Sequence, residues 1–487
     1  MSACSGQAPE HSNPAVVTIG TAFANAKDAQ MGLSAIVDAV TLEAPVSIGW
    51  DGRPVGKSID RWEWSADGLT LKLHLKPGLT FHDGTPLTNA LAARILSSTL
   101  GPDEGAVSQT VQSVTPEGTE WIVIRTSQPE GFLLSDISIG NFQIPGRPHI
   151  GTGPYMVVSD TPPIQLKAFD AYRGGRPAID ELRITDYSTQ RQAWAAMMRG
   201  ESDVLYEVST ESVDFVKAES TIQSHSFLRA YYHALVFNLT LPKFSSPTVR
   251  RALNSAVDRQ QVVSLSLRKQ GVPADSPIWP YHFGFSANQP AYKYDPALAV
   301  KLLDEAGLTA NAAHTSDDMP SRLRFVCLVP STDQSLQRVA LLLQKQLYAV
   351  GVDMQVELLP LKQLRGRVGS GNFEAVLSEF AATRGLGFVY SIWHSPPPGV
   401  PTGLNFHYRA ADAALDRLRA ARDEAAIKSA IAEFQRTLHD DPPAVFLDWS
   451  QSSRALRRSI AVPKEASPDV IGSISQWKPA ASRGAGQ

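Results

Sequence analysis

Residues 52–58, GRPVGKS, have the residue types of a phosphate-binding loop. Such a loop needs four residues between its two glycines, so that successive backbone N–H groups converge on a phosphate. This chain has three, and Pro54 has no N–H to donate. The segment is therefore a chance similarity and does not predict a nucleotide site.

Other short patterns also fall short of catalytic chemistry. Gly385-Leu386-Gly387 lacks the third glycine of a dinucleotide fingerprint, and residues 369–371, GSG, lack the flanking residues of a nucleophile elbow. His439 precedes two aspartates at a predicted helix end, where a histidine interacts with the helix dipole. No histidine pair has the spacing of a zinc protease. The sequence predicts no catalytic residue, no metal ligand and no cofactor, so we expect no enzyme.

The composition is that of an ordinary globular protein. The chain has 487 residues, 43% hydrophobic and 19% charged, with a formal net charge of −3. This length predicts two or three domains whose cores need no disulfide or metal. A nucleic-acid partner would require a clustered basic excess; the run Arg454, Arg457, Arg458 is too short and is predicted to be a solvated face. No apolar stretch approaches the ~20 residues that span a bilayer.

The two cysteines do not form a disulfide or zinc framework. Cys327 lies in an apolar run and is expected to be a buried small hydrophobe. Cys4 follows small residues and precedes a polar stretch, an arrangement similar to the lipidated cysteine of bacterial lipoproteins. No apolar leader precedes it here, so lipidation of Cys4 and no role for Cys4 both stay open. Residues 1–14 are expected to be a disordered tether.

Strands and helices of ordinary length alternate along the chain. Residues 62–75 predict a hairpin with Asp67-Gly68 as its turn. Residues 189–199 and 334–350 have the apolar periodicity of amphipathic helices, each followed by glycine. Residues 445–449 have strand character. This mixture predicts an α/β architecture.

Five segments, in order, resemble one family of receptors. They are the turn-rich passage 69–91, GTGPY at 151–155, and the passages 172–203, 237–263 and 294–307. Together they are similar to family 5 extracytoplasmic solute-binding proteins, the oligopeptide- and dipeptide-binding type that serves ABC importers. The segments are turns, helix caps and helix stripes, which define a scaffold and not a reaction.

The resemblance implies an α/β, two-lobed periplasmic-binding-protein fold of type II, similar to cluster C, with an extra subdomain inserted in lobe I. The implied lobes share a hinge that absorbs their rotation. By that likeness the parts of the chain are the tether 1–14, lobe I (15–40, 151–235 and 446–480), the inserted subdomain (41–150) and lobe II (236–445).

The implied function is capture of a small solute or short peptide between the lobes, followed by delivery to an ABC permease and ATPase complex in the membrane. The protein is expected to be a periplasmic or otherwise extracytoplasmic monomer with no nucleic-acid partner. An extracytoplasmic ligand sensor that docks on a chemoreceptor or kinase is the alternative, and a hydrolase is a distant third.

Family members that bind peptides place an acidic residue after a strand of lobe II to pair with the peptide amine. Here that strand is 373–377, and no aspartate follows it. Arg384 occupies roughly that place, and Glu379 falls early. Because a buried arginine prefers a planar anion, we expect a ligand without an essential free amine. It would be acidic, or a neutral aromatic or sugar-like molecule; a surface or structural role for Arg384 stays open.

The predicted ligand-binding residues are mostly aromatic, because aromatic walls suit a largely apolar pocket. Most aromatic residues in any sequence belong to the core, so each assignment competes with a packing role. The predicted set is Phe23, Tyr231, Phe237, Asn238, Trp279, Arg384, Phe388, Tyr390, Trp393 and Trp449.

Overall fold

A computed structural model describes residues 15–22, 26–100, 110–309, 321–396, 407–464 and 468–480. The predicted tether, Cys4 and Phe23 lie outside these residues. Within them, strands and helices are mixed along the whole chain, which confirms the predicted α/β class.

Local sequence signals set many element boundaries. Thr189 accepts a hydrogen bond from the Gln192 N–H at 3.2 Å and so caps the helix that begins at Gln190. Gly200, at φ 82°, ends that helix in the left-handed conformation that glycine adopts readily. The helices are α1 (Ala26–Thr41), α2 (Asn89–Thr99), α3 (Leu133–Ile137), α4 (Gln190–Arg199), α5 (Val213–Ala218), α6 (Pro242–Ser245), α7 (Pro247–Ser255), α8 (Arg259–Gln261), α9 (Pro296–Glu305), α10 (Gln334–Tyr348), α11 (Leu361–Gly369), α12 (Gly387–Trp393), α13 (Asp412–Ala420) and α14 (Glu424–Asp440), with a π-helix at Val262–Ser266 and a 3₁₀ helix at Val470–Gln476.

The strands carry the alternation expected of half-buried sheets. Leu71, Leu73 and Leu75 point to the core from one strand of the predicted hairpin, which is confirmed. The strands are β1 (Val16–Thr21), β2 (Val46–Ile48), β3 (Pro54–Gly56), β4 (Ile59–Trp64), β5 (Thr70–Leu75), β6 (Val111–Glu117), β7 (Trp121–Thr126), β8 (Tyr155–Ser159), β9 (Ile164–Ala168), β10 (Glu181–Asp186), β11 (Val204–Leu205), β12 (Ile222–Phe237), β13 (Gly271–Pro273), β14 (Leu323–Pro330), β15 (Val352–Leu359), β16 (Ala375–Ala381), β17 (Ala444–Arg457), β18 (Ile460–Ala461) and β19 (Lys478–Pro479).

The main sheet has 11 strands in the order β15-β14-β16-β12-β17-β11-β1-β10-β9-β8, with β13 added to β17. We call β1 and β8–β11 the first lobe, and β14–β16 with α6–α14 the second lobe. The antiparallel strands β12 and β17, of 16 and 14 residues, connect the two parts. Their register breaks between Leu228 and Tyr232 and again between His233 and Ala234. The connection is therefore irregular where the chain passes between the lobes.

Segment 41–150 carries a separate four-stranded sheet, β4-β5-β7-β6. Its apolar face, including Leu73 and Ile122, belongs to the same hydrophobic cluster as Trp393 and Phe446 on the second-lobe side. Other clusters fill the first lobe around β1 and β10 and the second lobe behind β14. Segment 41–150 therefore packs directly on the second lobe.

Two sequence expectations change in the structure. Arg454 was expected on a solvated face, and this is wrong: it is buried on β17 and forms an ion pair with Asp469 at 2.8 Å. The strand expected at 445–449 is confirmed but runs on to Arg457. Cys327 is buried as expected, and GRPVGKS contains β3 and no helix start.

Candidate functional site

Segment 41–150 and the second lobe are joined by hydrogen bonds that involve the backbone. The Trp279 indole N–H donates to the Trp50 carbonyl at 2.7 Å, and the Phe283 N–H donates to the Asp51 carbonyl at 2.8 Å. The Gly131 N–H donates to the Arg419 carbonyl at 2.7 Å. Each of these contacts joins residues more than two hundred positions apart in the sequence. Together they hold segment 41–150 against the second lobe.

Arg384 lies in that region and leads into α12. Its guanidinium carbon is 5.3 Å from the Trp50 ring centroid and 5.6 Å from that of Trp279, within cation–π range. One guanidinium N–H donates to the Ile48 carbonyl at 3.5 Å, the long limit of a hydrogen bond. We call Arg384, Trp50 and Trp279 the arginine box.

The charge of Arg384 has no acidic partner in contact among the described residues. Its Nε atom is buried and makes no hydrogen bond. Burial lowers the pKa of Arg384, and the charge of Asp469 on the first-lobe side partly opposes that effect. Asp469 is itself paired with Arg454. The Arg384 guanidinium therefore has an N–H group that could still donate a hydrogen bond to an anion.

Two buried hydroxyls beside Arg384 also lack hydrogen bonds. They are Ser135 Oγ from segment 41–150 and Thr383 Oγ1 from the second lobe. Both lie close to Gly385, at 2.2 and 3.4 Å from the position that a β-carbon on that glycine would occupy. Only glycine allows so close an approach of the two surfaces at this point.

A pocket of about 430 Å³ adjoins the arginine box. Ile48, whose carbonyl Arg384 contacts, and Gly385 both line it. Its walls are mostly apolar and come from both sides of the interface: Trp62, Trp64, Phe132 and Leu134 from segment 41–150, and Phe283, Leu386, Leu418 and Ile427 from the second lobe. This volume lies within the range of ligand pockets, roughly 300–1,000 Å³.

The ionisable groups at the pocket wall are neutral or paired with protein. Burial raises the pKa of Glu130 to about 8, against the nearby charge of Arg419. Burial lowers the pKa of His282 to about 4, and its Nδ1 accepts from the Gly284 N–H at 3.1 Å. Arg53 is bound to Glu424 at 2.8 Å. Arg422 also lines the pocket and donates to the carbonyls of Ala66 and Asp67, so the wall has a small net positive charge at neutral pH.

A second ionic group occupies the crossing of β12 and β17. The Arg229 guanidinium is 2.8 Å from the Glu379 carboxylate, and His233 is 3.0 Å from that of the fully buried Asp448. Burial alone would lower the pKa of His233, but the charges of Asp448 and Glu379 raise it to about 9. We call Arg229, His233, Glu379 and Asp448 the crossover cluster. Its charges are paired with one another.

Three predicted ligand-binding residues belong to the arginine box, contact it or contact the pocket wall: Trp279, Trp449 and Tyr390. Trp279 and Trp449 are edge-to-face at 5.1 Å, and both are buried. Phe388, also on α12, is partly buried and packs against the hydrophobic cluster that contains Trp393 and Phe446. Tyr390 on α12 donates to the Asp416 carboxylate at 3.2 Å and lies 5.5 Å from the Phe132 ring at the pocket wall.

Other predicted residues lie within the packing of the fold. The Trp393 indole N–H donates to the Tyr232 hydroxyl at 3.2 Å, and Trp393 is fully buried. Phe237 is stacked on Phe244 at 4.8 Å inside the second-lobe core. Asn238 donates to the carbonyls of two residues in the turn before β16, at 2.9 and 3.2 Å, and accepts from Thr240. Their ligand-binding roles stay predictions, since these contacts are with protein.

Tyr231 lies at the crossing of the lobes, with 36% of its surface exposed and the Arg229 guanidinium 4.3 Å from its ring centroid. Phe23 lies outside the described residues, so the structure does not place it. Glu379, the possible substitute for the missing acidic residue, forms an ion pair with Arg229.

Trp50 and Glu130 were missed by sequence reasoning. Trp50 sits in a short turn between β2 and β3, where no periodic pattern marks it. Glu130 is 1% exposed, but the preceding sequence, SQP, looks like a surface loop. A tryptophan beside Asp51-Gly52 was the one available signal, since a large apolar residue in a turn often meets another part of the chain.

Comparison with known proteins defines the class. The sequence profile of bacterial extracellular solute-binding proteins, family 5 Middle, matches residues 53–398. This range is more than half of the chain, so the protein belongs to that family.

Individual relatives are distant but extensive in coverage. The glutathione-binding protein GsiB of Pectobacterium atrosepticum is 25% identical over 380 residues, which are 73% of this chain and 71% of that protein. The oligopeptide-binding protein AppA of Bacillus subtilis, solved with a nonapeptide, superposes with a TM-score of 0.75 at 19% identity, over 96% of this chain and 100% of that one. NikA of Brucella suis, solved with Fe(III)-EDTA, gives 0.77 at 20% identity, over 95% and 99%.

The fold is therefore the two-lobed fold expected from the sequence, and the protein is a solute-binding component of an ABC importer. Nothing in the comparisons favours a sensor or a hydrolase. Among the described residues, none of the helices has the length and apolar character needed to cross a bilayer. The same residues contain no group of three side chains suited to hold a metal ion.

Proposed function

We propose that this importer component captures a small solute bearing a carboxylate, and that Arg384 binds that carboxylate. One observation carries the proposal: a partly buried guanidinium lies against two indole rings that also contact each other, with an unpaired Nε and no acidic partner in contact among the described residues. A guanidinium presents N–H groups in a planar fork that matches a carboxylate, so an anion would complete the box.

The surroundings of Arg384 favour an anion over an amine. Two acidic groups of the two lobes are already engaged, because Asp469 pairs with Arg454 and Glu379 pairs with Arg229. Thr383 and Ser135 supply hydroxyls that can donate hydrogen bonds. The Asp136 carboxyl also lies close by, beside Gly387, and burial raises its pKa to about 7. A peptide amine would therefore meet a carboxyl that burial keeps partly protonated, which supports a ligand without an essential free amine.

Capture would bring segment 41–150 and the second lobe together over the solute. The box needs Trp50 from segment 41–150 and Trp279 and Arg384 from the second lobe, so it is complete only when the two surfaces meet. A ligand with higher affinity for this closed arrangement shifts the population toward it. The lobe boundaries at 15–40, 41–150, 151–235, 236–445 and 446–480 belong to the same proposal.

The closed protein would then be recognised by a membrane permease and its ATPase, with the binding protein acting as an extracytoplasmic monomer and without enzymatic activity. Lipid anchoring through Cys4 is part of this proposal as an alternative to a freely diffusing form. The family to which the chain belongs supports the transport role.

Mass spectrometry of solute released from purified, denatured protein tests the ligand class. We expect a small molecule with at least one carboxylate. Calorimetry with a peptide panel, each member with a free and an acetylated amino terminus, provides the opposing test. Tight binding that requires the free amine would overturn the proposal.

A further inference from the structure

We propose that the 430 Å³ pocket beside the arginine box receives an uncharged aromatic or branched hydrocarbon group of the solute. This inference rests on the proposed function, because it assigns the pocket and Arg384 to two ends of one molecule. The transported solute would then be an amphiphilic carboxylate, with its hydrocarbon part enclosed between segment 41–150 and the second lobe.

The position of the pocket connects it to Arg384. Ile48 and Gly385 line the pocket, and Arg384 contacts the Ile48 carbonyl and immediately precedes Gly385. A solute whose carboxylate meets the guanidinium would therefore direct its remaining atoms along this wall. Both surfaces contribute walls, so an occupant would help to hold the two surfaces together.

The lining selects against a charged group. Arg422 is bound to the Ala66 carbonyl at 2.6 Å, and Arg53 is bound to Glu424 at 2.8 Å. Glu130 is 1% exposed, and its carboxyl accepts hydrogen bonds from the Phe132 N–H and the Thr110 hydroxyl, each at 3.4 Å. Arg422 already donates to two carbonyls, and the Glu130 carboxyl is protonated at neutral pH, so a charged group entering here would lose its hydration and gain only partial compensation.

The lining favours rings and branched chains. Trp62, Trp64, Phe132 and Phe283 provide four aromatic surfaces, and Leu386 and Ile427 provide aliphatic ones. Aromatic pairs in contact add to the free energy of apolar burial. Ser135, only 7% exposed and with an unpaired hydroxyl, also lines the pocket and can bond one polar atom of the occupant.

Three probes separate the two ends of the solute: 3-phenylpropionate, its primary amide, and propionate, each titrated by calorimetry. For the wild-type protein we expect 3-phenylpropionate to bind about tenfold or more tightly than propionate, because the phenyl ring buries apolar surface. The amide should also bind, more weakly than the acid. Equal affinities for 3-phenylpropionate and propionate would overturn the inference.

Two tryptophan substitutions on α14 form a matched pair. Ile427→Trp fills the pocket, whereas Ser429→Trp adds the same side chain at an exposed position outside it. We expect I427W to remove the advantage of 3-phenylpropionate over propionate, and S429W to retain it. If I427W does not fold, Ile427→Ala should reduce the same advantage by severalfold. Retention of the full advantage in the folded pocket variants would contradict the inference.

Arg384→Gln distinguishes failure of the inference from failure of the proposed function. Weaker binding of both acids by R384Q, with no selective effect of the pocket variants, would leave the function standing and reject the pocket. If the pocket variants weaken binding of both 3-phenylpropionate and its amide, and R384Q weakens neither, the result would support the pocket and reject the carboxylate site. No binding of any probe would count against both.

Discussion

The arginine box and the crossover cluster each contain a partly buried arginine, but only the arginine of the crossover cluster forms an ion pair with a carboxylate. In the crossover cluster Arg229 meets Glu379 at 2.8 Å, and His233 meets Asp448 at 3.0 Å. In the arginine box Arg384 meets two indole rings and one distant carbonyl. We expect a paired charge to contribute to stability and an unpaired charge to contribute to ligand binding. Substitutions in the crossover cluster should therefore lower the free energy of unfolding, whereas substitution of Arg384 should lower the affinity for the solute.

Removing Asp448 should have the largest effect. Asp448→Ala would leave the buried His233 without its closest carboxylate, and breaking a buried pair from one side lowers the free energy of unfolding by about 3–5 kcal/mol. Urea unfolding measures this change. Asp440→Ala, an exposed partner of His439, is the control and should cost under ~1 kcal/mol. Equal losses of unfolding free energy in the two variants would contradict a special role for the buried pair of His233 and Asp448.

Glu130 should make stability depend on pH. Burial raises its folded pKa to about 8 from 4.5, so the folded state retains a proton that the unfolded state releases. Its contribution is complete below pH 4.5 and is lost as the pH rises toward 8, about 4–5 kcal/mol in total. Unfolding of wild type and Glu130→Gln at several pH values measures the difference.

That difference should decrease from pH 5 to pH 8 and stay constant above it. Glu63→Gln, at an exposed position on β4 in the same segment 41–150, is the control and should follow wild type at every pH. A constant difference between wild type and E130Q would show that the carboxyl is ionised in the folded protein.

Arg384→Gln should separate affinity from stability. Loss of charge-assisted hydrogen bonds should weaken binding of the solute recovered from the purified protein by about 10- to 100-fold. The free energy of unfolding should change by under ~1 kcal/mol. The exposed Arg365 on α11 supplies the control variant Arg365→Gln, with no change in either quantity. Titration calorimetry and urea unfolding together give both values. A large loss of stability with unchanged affinity would mean that Arg384 is structural.

Arg229→Gln should have the smallest effect. Its ion pair with Glu379 has side chains that are 34% and 27% exposed, so solvent weakens the interaction. We expect a loss of about 0.5–1 kcal/mol in unfolding free energy and an affinity within about threefold of wild type. An affinity loss equal to that of R384Q would place the crossover cluster in the binding site.

Local features of the fold could be predicted from the sequence because their signals are local. The caps at Thr189 and Gly200 and the hairpin turn at Asp67-Gly68 depend on residues a few positions apart. The paired state of Arg454 could not be predicted, since its partner Asp469 lies in another element. An arginine run on a strand looks solvated until the opposite surface is known.

The candidate site was predictable only in part. Arg384 stood out because it replaced an expected acid, and Trp279 was in the predicted set. Trp50 was not, because its contact with Arg384 joins positions 334 residues apart in the chain. The same sequence reasoning chose Phe237 and Trp393, which are buried in protein contacts, since aromatic character alone does not distinguish a core from a cleft.

The central claim is that Arg384 binds the carboxylate of the transported solute. It is tested most directly by titrating wild type and R384Q with the solute recovered from the purified protein and with its methyl ester. We predict that wild type binds the acid at least about tenfold more tightly than the ester, and that R384Q binds the two equally. The same preference for the acid in both proteins would contradict the account.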